Sequence, residues 1–419
     1  MIINRKDTMK SYKNDKCRIC ASDELDEVLF LHPSPLADNY ISLSQLKTEQ
    51  ELFDMNVSLC KKCGLAQLLT VVEAEEIYID YLYKTTTSFG LPQHFVNSAS
   101  NIIKKYNVET ESFIVDIGSN IGSLLQGYKN FGMKVLGIDP AREIAKEATT
   151  NGIETLPVFF TSMSAETIVQ KYGKAKVINS NNMMANIDKI NDVVQGIKIL
   201  LDDDGIFVME TSYILYLIDN MVFDTIYHEH LSYFGLKPLQ YLFEKNGLKI
   251  VDAEIVETKG GSLRCYIEHD KNQKVSQNVF DILENEISRN LYQKDIYLTY
   301  MDNINEQKKI LIKFLEAIKQ EGKKIYGYGA SNTTTTLLHH FEIANYFDCI
   351  VDDNKIKIGR FCPNNHIPVV ASDIIYQDKP DYIVIFAWRF VNIIVANHQK
   401  YLSQGGKFIV PLPYFKCID

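Results

Sequence analysis

The sequence has no apolar run of 18 or more residues and no signal-peptide pattern at its start. The first absence argues against a membrane-spanning helix, and the two together predict a cytoplasmic protein. Basic residues are not in excess either: the formal net charge is −9 and the isoelectric point about 5.6. A chain of that charge is poorly matched to nucleic acid or an anionic membrane surface as its main partner. The composition is 46% hydrophobic and 23% charged over 419 residues, ordinary for globular protein and long enough for two or three domains. Eight cysteines in such a chain point to thiols or metal ligands rather than disulfides.

A third absence is the full G-x-G-x-x-G dinucleotide fingerprint. Phe113 to Asp139 reads as a buried strand, a glycine turn, a helix over Leu124–Phe131, and a second strand over Lys134–Ile138 ending at Asp139. This is a mononucleotide-binding βαβ half, but its turn runs Asp116-Ile117-Gly118-Ser119-Asn120-Ile121-Gly122. An acid before the first glycine resembles the first motif of S-adenosylmethionine (SAM) methyltransferases. That ligand has no phosphate here, so Asp116 is free to face an ammonium. Gly118, Ser119, Asn120 and Gly122 would let backbone approach the ligand, and the strand-tip Asp139 suits a ribose diol. A further strand over Lys176–Ile178 runs into the polar turn Asn179–Asn182, and carboxyl ends of this kind face the ligand in a doubly wound sheet. Asn181 is therefore added to the cofactor-binding candidates. The bland alternative is an ordinary βα turn; a nicotinamide or flavin site is another.

Near the start, Cys17-x-x-Cys20 and Cys60-x-x-Cys63 form two C-x-x-C pairs, each in a turn-like setting. Each pair brings two thiolates to one ion, and four thiolates close a tetrahedral zinc site, structural rather than catalytic. Neither pair has the βαβ context of a redox motif.

Residues 223–234, FDTIYHEHLSYF, place Tyr227, His228, Glu229 and His230 in succession. The spacing is not the H-E-x-x-H of a helical zinc site. Acid–base chemistry is the better reading: a histidine to move a proton, with a carboxylate and a phenol to orient it. A solvated polar loop is the bland one. Gly260-Gly261-Ser262-Leu263-Arg264 offers amides and a guanidinium to an acidic acceptor, or is a tight turn into a strand. Beyond a helical stretch at about 275–320, Ile325–Ala330 enters a second glycine turn. There Ser331–Thr336 opens a helix whose first amides are placed for a phosphate.

Taken in order, these motifs resemble the three-domain SAM-dependent sugar C-methyltransferases of deoxysugar biosynthesis. The likeness runs through both cysteine pairs, the D-x-G-S-N-x-G turn, YHEHLSYF, GGSLR, YGYGA, VDDN, AWRF and GGKFIVPLP. It implies an α/β protein with a zinc-binding N-terminal module (1–84), a Rossmann-like SAM domain (85–265) and a second Rossmann-like α/β domain (266–419). It also implies a nucleotide-linked 4-keto-6-deoxysugar substrate, methylated at the carbon beside the ketone (C-3) through an enolate. His230 would be the base, oriented by Tyr227, Glu229 and Tyr83 or His94, with SAM and a structural zinc ion as cofactors. Three positions depart from the family. Asn186 stands where a histidine is usual, Thr333 lies near a usual lysine, and Pro363-Asn364-Asn365-His366 replaces a P-G-T stretch. A sugar O-methyltransferase, a nicotinamide-dependent sugar oxidoreductase and a non-catalytic sugar-nucleotide-binding protein are the alternatives.

Overall fold

The computed structural model describes residues 10–78, 91–257, 261–271 and 274–419. Tyr83 and Gly260 lie outside them. The N-terminal part folds as β1 (Ser11–Lys13), β2 (Leu25–Leu29), β3 (Val57–Cys60), β4 (Ala66–Leu68) and β5 (Thr70–Val72), with β1 pairing β5 and β2–β3–β4 forming an antiparallel meander. The first cysteine pair lies in the turn before β2, and the second spans the end of β3 and the turn after it. The second is followed by Gly64 at φ +85, where an added Cβ would lie 2.5 Å from the Tyr292 ring, so only glycine fits.

The central sheet has seven strands: β6 (Phe113–Ile117), β7 (Lys134–Ile138), β8 (Thr155–Leu156), β9 (Ala175–Asn181), β10 (Leu201–Ser212), and, after the short β11 (Ser232–Tyr233), β12 (Leu248–Val256) and β13 (Ser262–His269). Their order is β12-β13-β10-β9-β6-β7-β8; β13 runs antiparallel to both β10 and β12, and the remaining neighbours are parallel. The middles of the inner strands, Ile114–Val115, Val177–Ile178 and Ile206–Met209, are apolar and buried because both faces of the sheet are covered. Ile114, Val177, Ile206 and Val208 pack beneath the helices Leu91–Lys105 and Ser123–Asn130, while Val115, Ile178 and Phe207 face the opposite core. That second core is continuous. It includes the four cysteines of the N-terminal part and Phe341, Phe386 and Trp388 of the C-terminal part.

The stretch at about 275–320 is two helices, Gln277–Ser288 and Lys294–Gln320. The longer one buries Tyr297, Tyr300, Met301, Ile304, Leu311, Leu315 and Ile318, the three-to-four spacing of one helix face. The C-terminal sheet comprises β14 (Ile325–Tyr328), β15 (Ile350–Asp352), β16 (Val369–Ala371), β17 (Tyr382–Ile385), β18 (Lys407–Val410) and β19 (Lys416–Ile418), in the order β16-β15-β14-β17-β18-β19. All neighbours are parallel except the last pair.

The second glycine turn departs from the expected phosphate cradle. Ser331 caps the helix Asn332–Phe341 by accepting from Thr334 N at 3.4 Å, and Asp352 accepts the Ala330 N–H at 2.6 Å. The Ala330, Ser331, Thr334 and Thr335 amides are thus bonded within the turn, and the nearby carboxylate disfavours an anion. YHEHLSYF is mostly loop. A 3-10 turn over Phe223–Thr225 precedes it, and only Ser232–Tyr233 is strand. That strand leaves the central domain and pairs with β4, as the fourth strand of the N-terminal sheet.

Candidate active site

Where the three parts meet lies a cavity of about 1050 Å³. From the central sheet it is lined by Asp116, Gly118, Ser119, Asn120, Asp139 and Asn181, the carboxyl ends of β6, β7 and β9. These strands flank the switch point of a doubly wound sheet, the general position of a ligand crevice. Gly118 (φ +79) and Gly122 (φ +80) turn the chain, and Asn120 shares the left-handed conformation at φ +50. A Cβ on Gly118 would sit 3.0 Å from Met183, so the backbone there approaches the cavity wall as closely as it can. Gly122 does not line the cavity and instead packs on Ile153. Asp139 accepts the Asn120 N–H at 2.9 Å and the Ala141 N–H at 3.0 Å, which shapes the turn around the carboxylate. Asp116 is 4% exposed, and its Oδ1 has no hydrogen-bond partner among the described residues. Burial pushes its pKa well above the usual carboxylate range, and Asp139 adds to the effect. A buried carboxylate oxygen left unanswered is costly unless a ligand answers it, and the ammonium of the methionine part of SAM would do so.

The opposite wall is the 227–231 loop. His230 Nδ1 lies 2.8 Å from the Thr225 carbonyl. A carbonyl only accepts, so in the neutral ring Nδ1 carries the proton and Nε2 the lone pair. The Tyr227 ring lies against His230, with centroids 4.3 Å apart. Burial first, then Glu229, pushes the Tyr227 phenol far above its ordinary pKa, so it stays a proton donor. Glu229 accepts from Asn332 Nδ2 of the C-terminal domain at 3.0 Å. His228 is fully buried edge-on against Phe53, with neither ring nitrogen hydrogen-bonded among the described residues, and burial pulls its pKa down to about 3. The two histidines thus differ in kind: one has a fixed tautomer, the other is locked neutral.

His94 is placed elsewhere. From the helix Leu91–Lys105 its Nε2 lies 3.0 Å from Glu210 Oε2 and 3.2 Å from Arg264 Nη2, and it is not among the lining residues. Arg264 also donates to Glu210 at 2.8 Å and Glu254 at 3.0 Å, so its guanidinium is engaged within the protein. Tyr78, which the motif reading passed over in favour of Tyr83, lines the cavity. Burial raises its phenol far above the ordinary range, Glu229 adds to this, and a hydrogen bond with Asn186 opposes it. Asn186 lines the same cavity. A signal for Tyr78 was present in the sequence: it opens the Y-x-x-Y-x-Y run that ends at Tyr83.

Both outer domains hold this loop. Arg18, inside the first cysteine turn and with its side chain 1% exposed, donates to Leu231 O and Leu68 O at 2.6 Å each. Asp224, fully buried, accepts from Trp388 Nε1 at 2.9 Å and Arg389 Nη1 at 3.0 Å. Lys357, Arg360 and Arg389 line the C-terminal side of the cavity, with Lys357 paired to Asp38.

The four cysteines are buried, and their Sγ atoms lie within 4.8 Å of one another; Cys17–Cys63 and Cys20–Cys60 approach to 3.5 Å. Thiolates about 2.3 Å from a tetrahedral zinc ion stand about 3.8 Å apart, so the set fits that ion. Among the described residues, no helix is long and apolar enough to cross a membrane.

Three family models divide the chain between them. Residues 17–78 match a zinc binding domain, 93–253 a methyltransferase domain, and 257–413 a C-methyltransferase C-terminal domain. With the sheet and cavity above, they define a SAM-dependent methyltransferase carrying a zinc-binding module. The C-methyltransferase NovU of Streptomyces niveus is 31% identical over 411 residues, spanning 97% of both chains. The chain belongs to this C-methyltransferase family, and the protein is a SAM-dependent C-methyltransferase. Solved structures resemble only part of it. The magnesium protoporphyrin IX methyltransferase of Synechocystis PCC 6803 with bound SAM is 12% identical, with a TM-score of 0.33, covering 43% of this chain and 79% of that one. A SAM-dependent methyltransferase from Clostridium acetobutylicum is 12% identical, with a TM-score of 0.34, covering 42% and 91%. Neither likeness is large enough to inform the site.

Proposed function

We propose that the protein methylates the carbon beside the ketone of a nucleotide-linked 4-keto-6-deoxysugar, with His230 as general base. The observation that carries this reading is the His230 tautomer, which leaves a lone pair on Nε2 in a ring that lines the same cavity as the Asp116–Asp139 turn. A C–H bond is not nucleophilic, but beside a ketone the electron pair left by proton removal delocalises onto oxygen as an enolate. His230 Nε2 accepts that proton. Tyr227, held protonated with its ring against His230, is the candidate donor, and a donor aimed at a developing oxyanion lowers the barrier by on the order of 3–4 kcal/mol. Glu229, tied to Asn332, orients the loop. Asp116, Gly118, Ser119, Asn120, Asp139 and Asn181 would hold SAM, which supplies an electrophilic methyl group. Cys17, Cys20, Cys60 and Cys63 would hold one structural zinc ion. Lys357, Arg360 and Arg389 on the third wall, although Lys357 and Arg389 are paired with Asp38 and Asp224, bring cations to the cavity that suit an anionic, nucleotide-linked substrate.

The test is incubation with SAM and a panel of nucleotide-linked 4-ketosugars, with products read by mass and by NMR of the new methyl. A carbon-bound methyl on one of them is expected; an ether-linked methyl, or no transfer to any, refutes the substrate reading. His230→Asn should retain SAM affinity and lose turnover by about 100-fold or more. Solvent deuterium exchange at the acceptor carbon should fall with it. Metal analysis of protein purified without added zinc should find close to one zinc per chain.

A further inference from the structure

The contacts around the Thr225 carbonyl exceed what domain attachment needs. Two consecutive-but-one positions of the loop are pinned by the C-terminal domain. Asp224 is held through its carboxylate by Trp388 Nε1 and Arg389 Nη1, and the Ile226 carbonyl accepts from Thr336 Oγ1 at 3.1 Å. Thr225 lies between the two pins, and its carbonyl is the group that takes the His230 Nδ1 proton. A fully buried carboxylate is a poor staple, because an apolar contact of the same size would hold the domains at least as well without desolvating a charge. Its placement, one residue before the carbonyl that orients the base, gives it a different use.

We propose that Asp224 and Thr336 are positioning residues for methyl transfer: with Trp388 and Arg389 they hold the Thr225 carbonyl against His230 and keep the ring in the tautomer that accepts a proton at Nε2. The C-terminal domain therefore sets the protonation geometry of the base while touching only the backbone and the side chain of its neighbours. The proposal rests on His230 acting as base.

The experiment compares Thr336→Val, which removes the hydroxyl at nearly constant shape, Trp388→Phe, which removes the indole N–H, and Thr336→Ser, which restores the hydroxyl, with His230→Asn run beside them. Each full-length protein is assayed for turnover against pH, KM for the sugar nucleotide and SAM affinity. Thr336→Val and Trp388→Phe should lower kcat on the order of 10-fold or more, with SAM affinity unchanged. The acid limb of kcat should move to lower pH, because an imidazolium that loses its carbonyl acceptor is less stable and the ring's pKa falls. Thr336→Ser should recover both. Parent turnover with an unmoved limb in Thr336→Val and Trp388→Phe overturns the proposal. So does a loss equal at every pH that Thr336→Ser fails to restore, since that is a purely structural effect. If His230→Asn keeps parent turnover, the base lies elsewhere and there is nothing for these residues to position. If His230→Asn is inactive while the other variants behave as the parent, the base reading stands and only the positioning role falls.

Discussion

The chain contains two strand–glycine turn–helix units, and they use their polar groups in opposite ways. In the first, at Asp116–Gly122, Asp116 Oδ1 and Ser119 Oγ have no partner among the described residues, and the helix after Gly122 has no side-chain cap. In the second, at Tyr328–Thr336, nearly everything is spent. Ser331 caps its helix, Asp352 takes the Ala330 amide, Thr335 Oγ1 donates to Ala37 O at 2.7 Å, Thr336 Oγ1 to Ile226 O, and Asn332 to Glu229. The first turn leaves polar groups unanswered at the cavity wall; the second holds the N-terminal part and the His230 loop by hydrogen bonds. A glycine turn before a helix is thus no sign of a ligand until its donors and acceptors have been counted.

The contrast can be tested from its strongest side first. Asp139→Ala removes the carboxylate that shapes the open turn and should weaken SAM binding by about 1–3 kcal/mol in calorimetry, the scale of a lost hydrogen bond to a charged group; unchanged affinity would mean that SAM does not bind at this turn. A second test concerns the loop that the closed turn holds. Burial depresses the His228 pKa to about 3, so the unfolded chain binds the extra proton first, and the stability due to this group, complete above about pH 6.5, is lost as pH falls toward 3. His228→Phe should therefore reduce the loss of stability between pH 7 and pH 5 by roughly 1–2 kcal/mol in urea titrations. An identical pH dependence in the variant would show that His228 is not held neutral in the native state. The smallest effect belongs to the closed turn: Ser331→Ala should cost about 1 kcal/mol of stability, the usual worth of an N-cap, with no change in SAM affinity. If SAM affinity fell instead, the division between the two turns would fail.

How much of this the sequence revealed depends on the range of the interaction. The strands and helix around Asp116–Asp139 were legible because both faces of the sheet are apolar and the turn residues are local. The clustering of two C-x-x-C pairs was legible because each pair is a tight turn. The second turn's docking role was not legible because its side chains Thr335, Thr336 and Asn332 meet Ala37, Ile226 and Glu229, residues far along the chain. Arg18 meets the Leu231 carbonyl across 213 residues, and Trp388 meets Asp224 across 164; no periodicity records such pairs. For the same reason His94, an isolated histidine in the sequence, was expected beside the base and lies instead with Glu210 and Arg264. Tyr78 is not distinguished in the sequence from Tyr81 and Tyr83 of the same run; its place on the cavity wall near Glu229 and Asn186 singles it out.

The pairing of Ser232–Tyr233 with β4 also bears on how the chain is made. The N-terminal sheet cannot be finished from its own sequence. While residues 69–231 are being synthesised, one edge of β4 stays unpaired, and an open edge invites pairing with other chains. Closure waits for a contact of high sequence separation, which forms slowly. The nascent protein therefore passes through a stage in which its metal-binding module has been translated but its last strand has not, and the same two residues that end that stage also fix one end of the loop that carries His230.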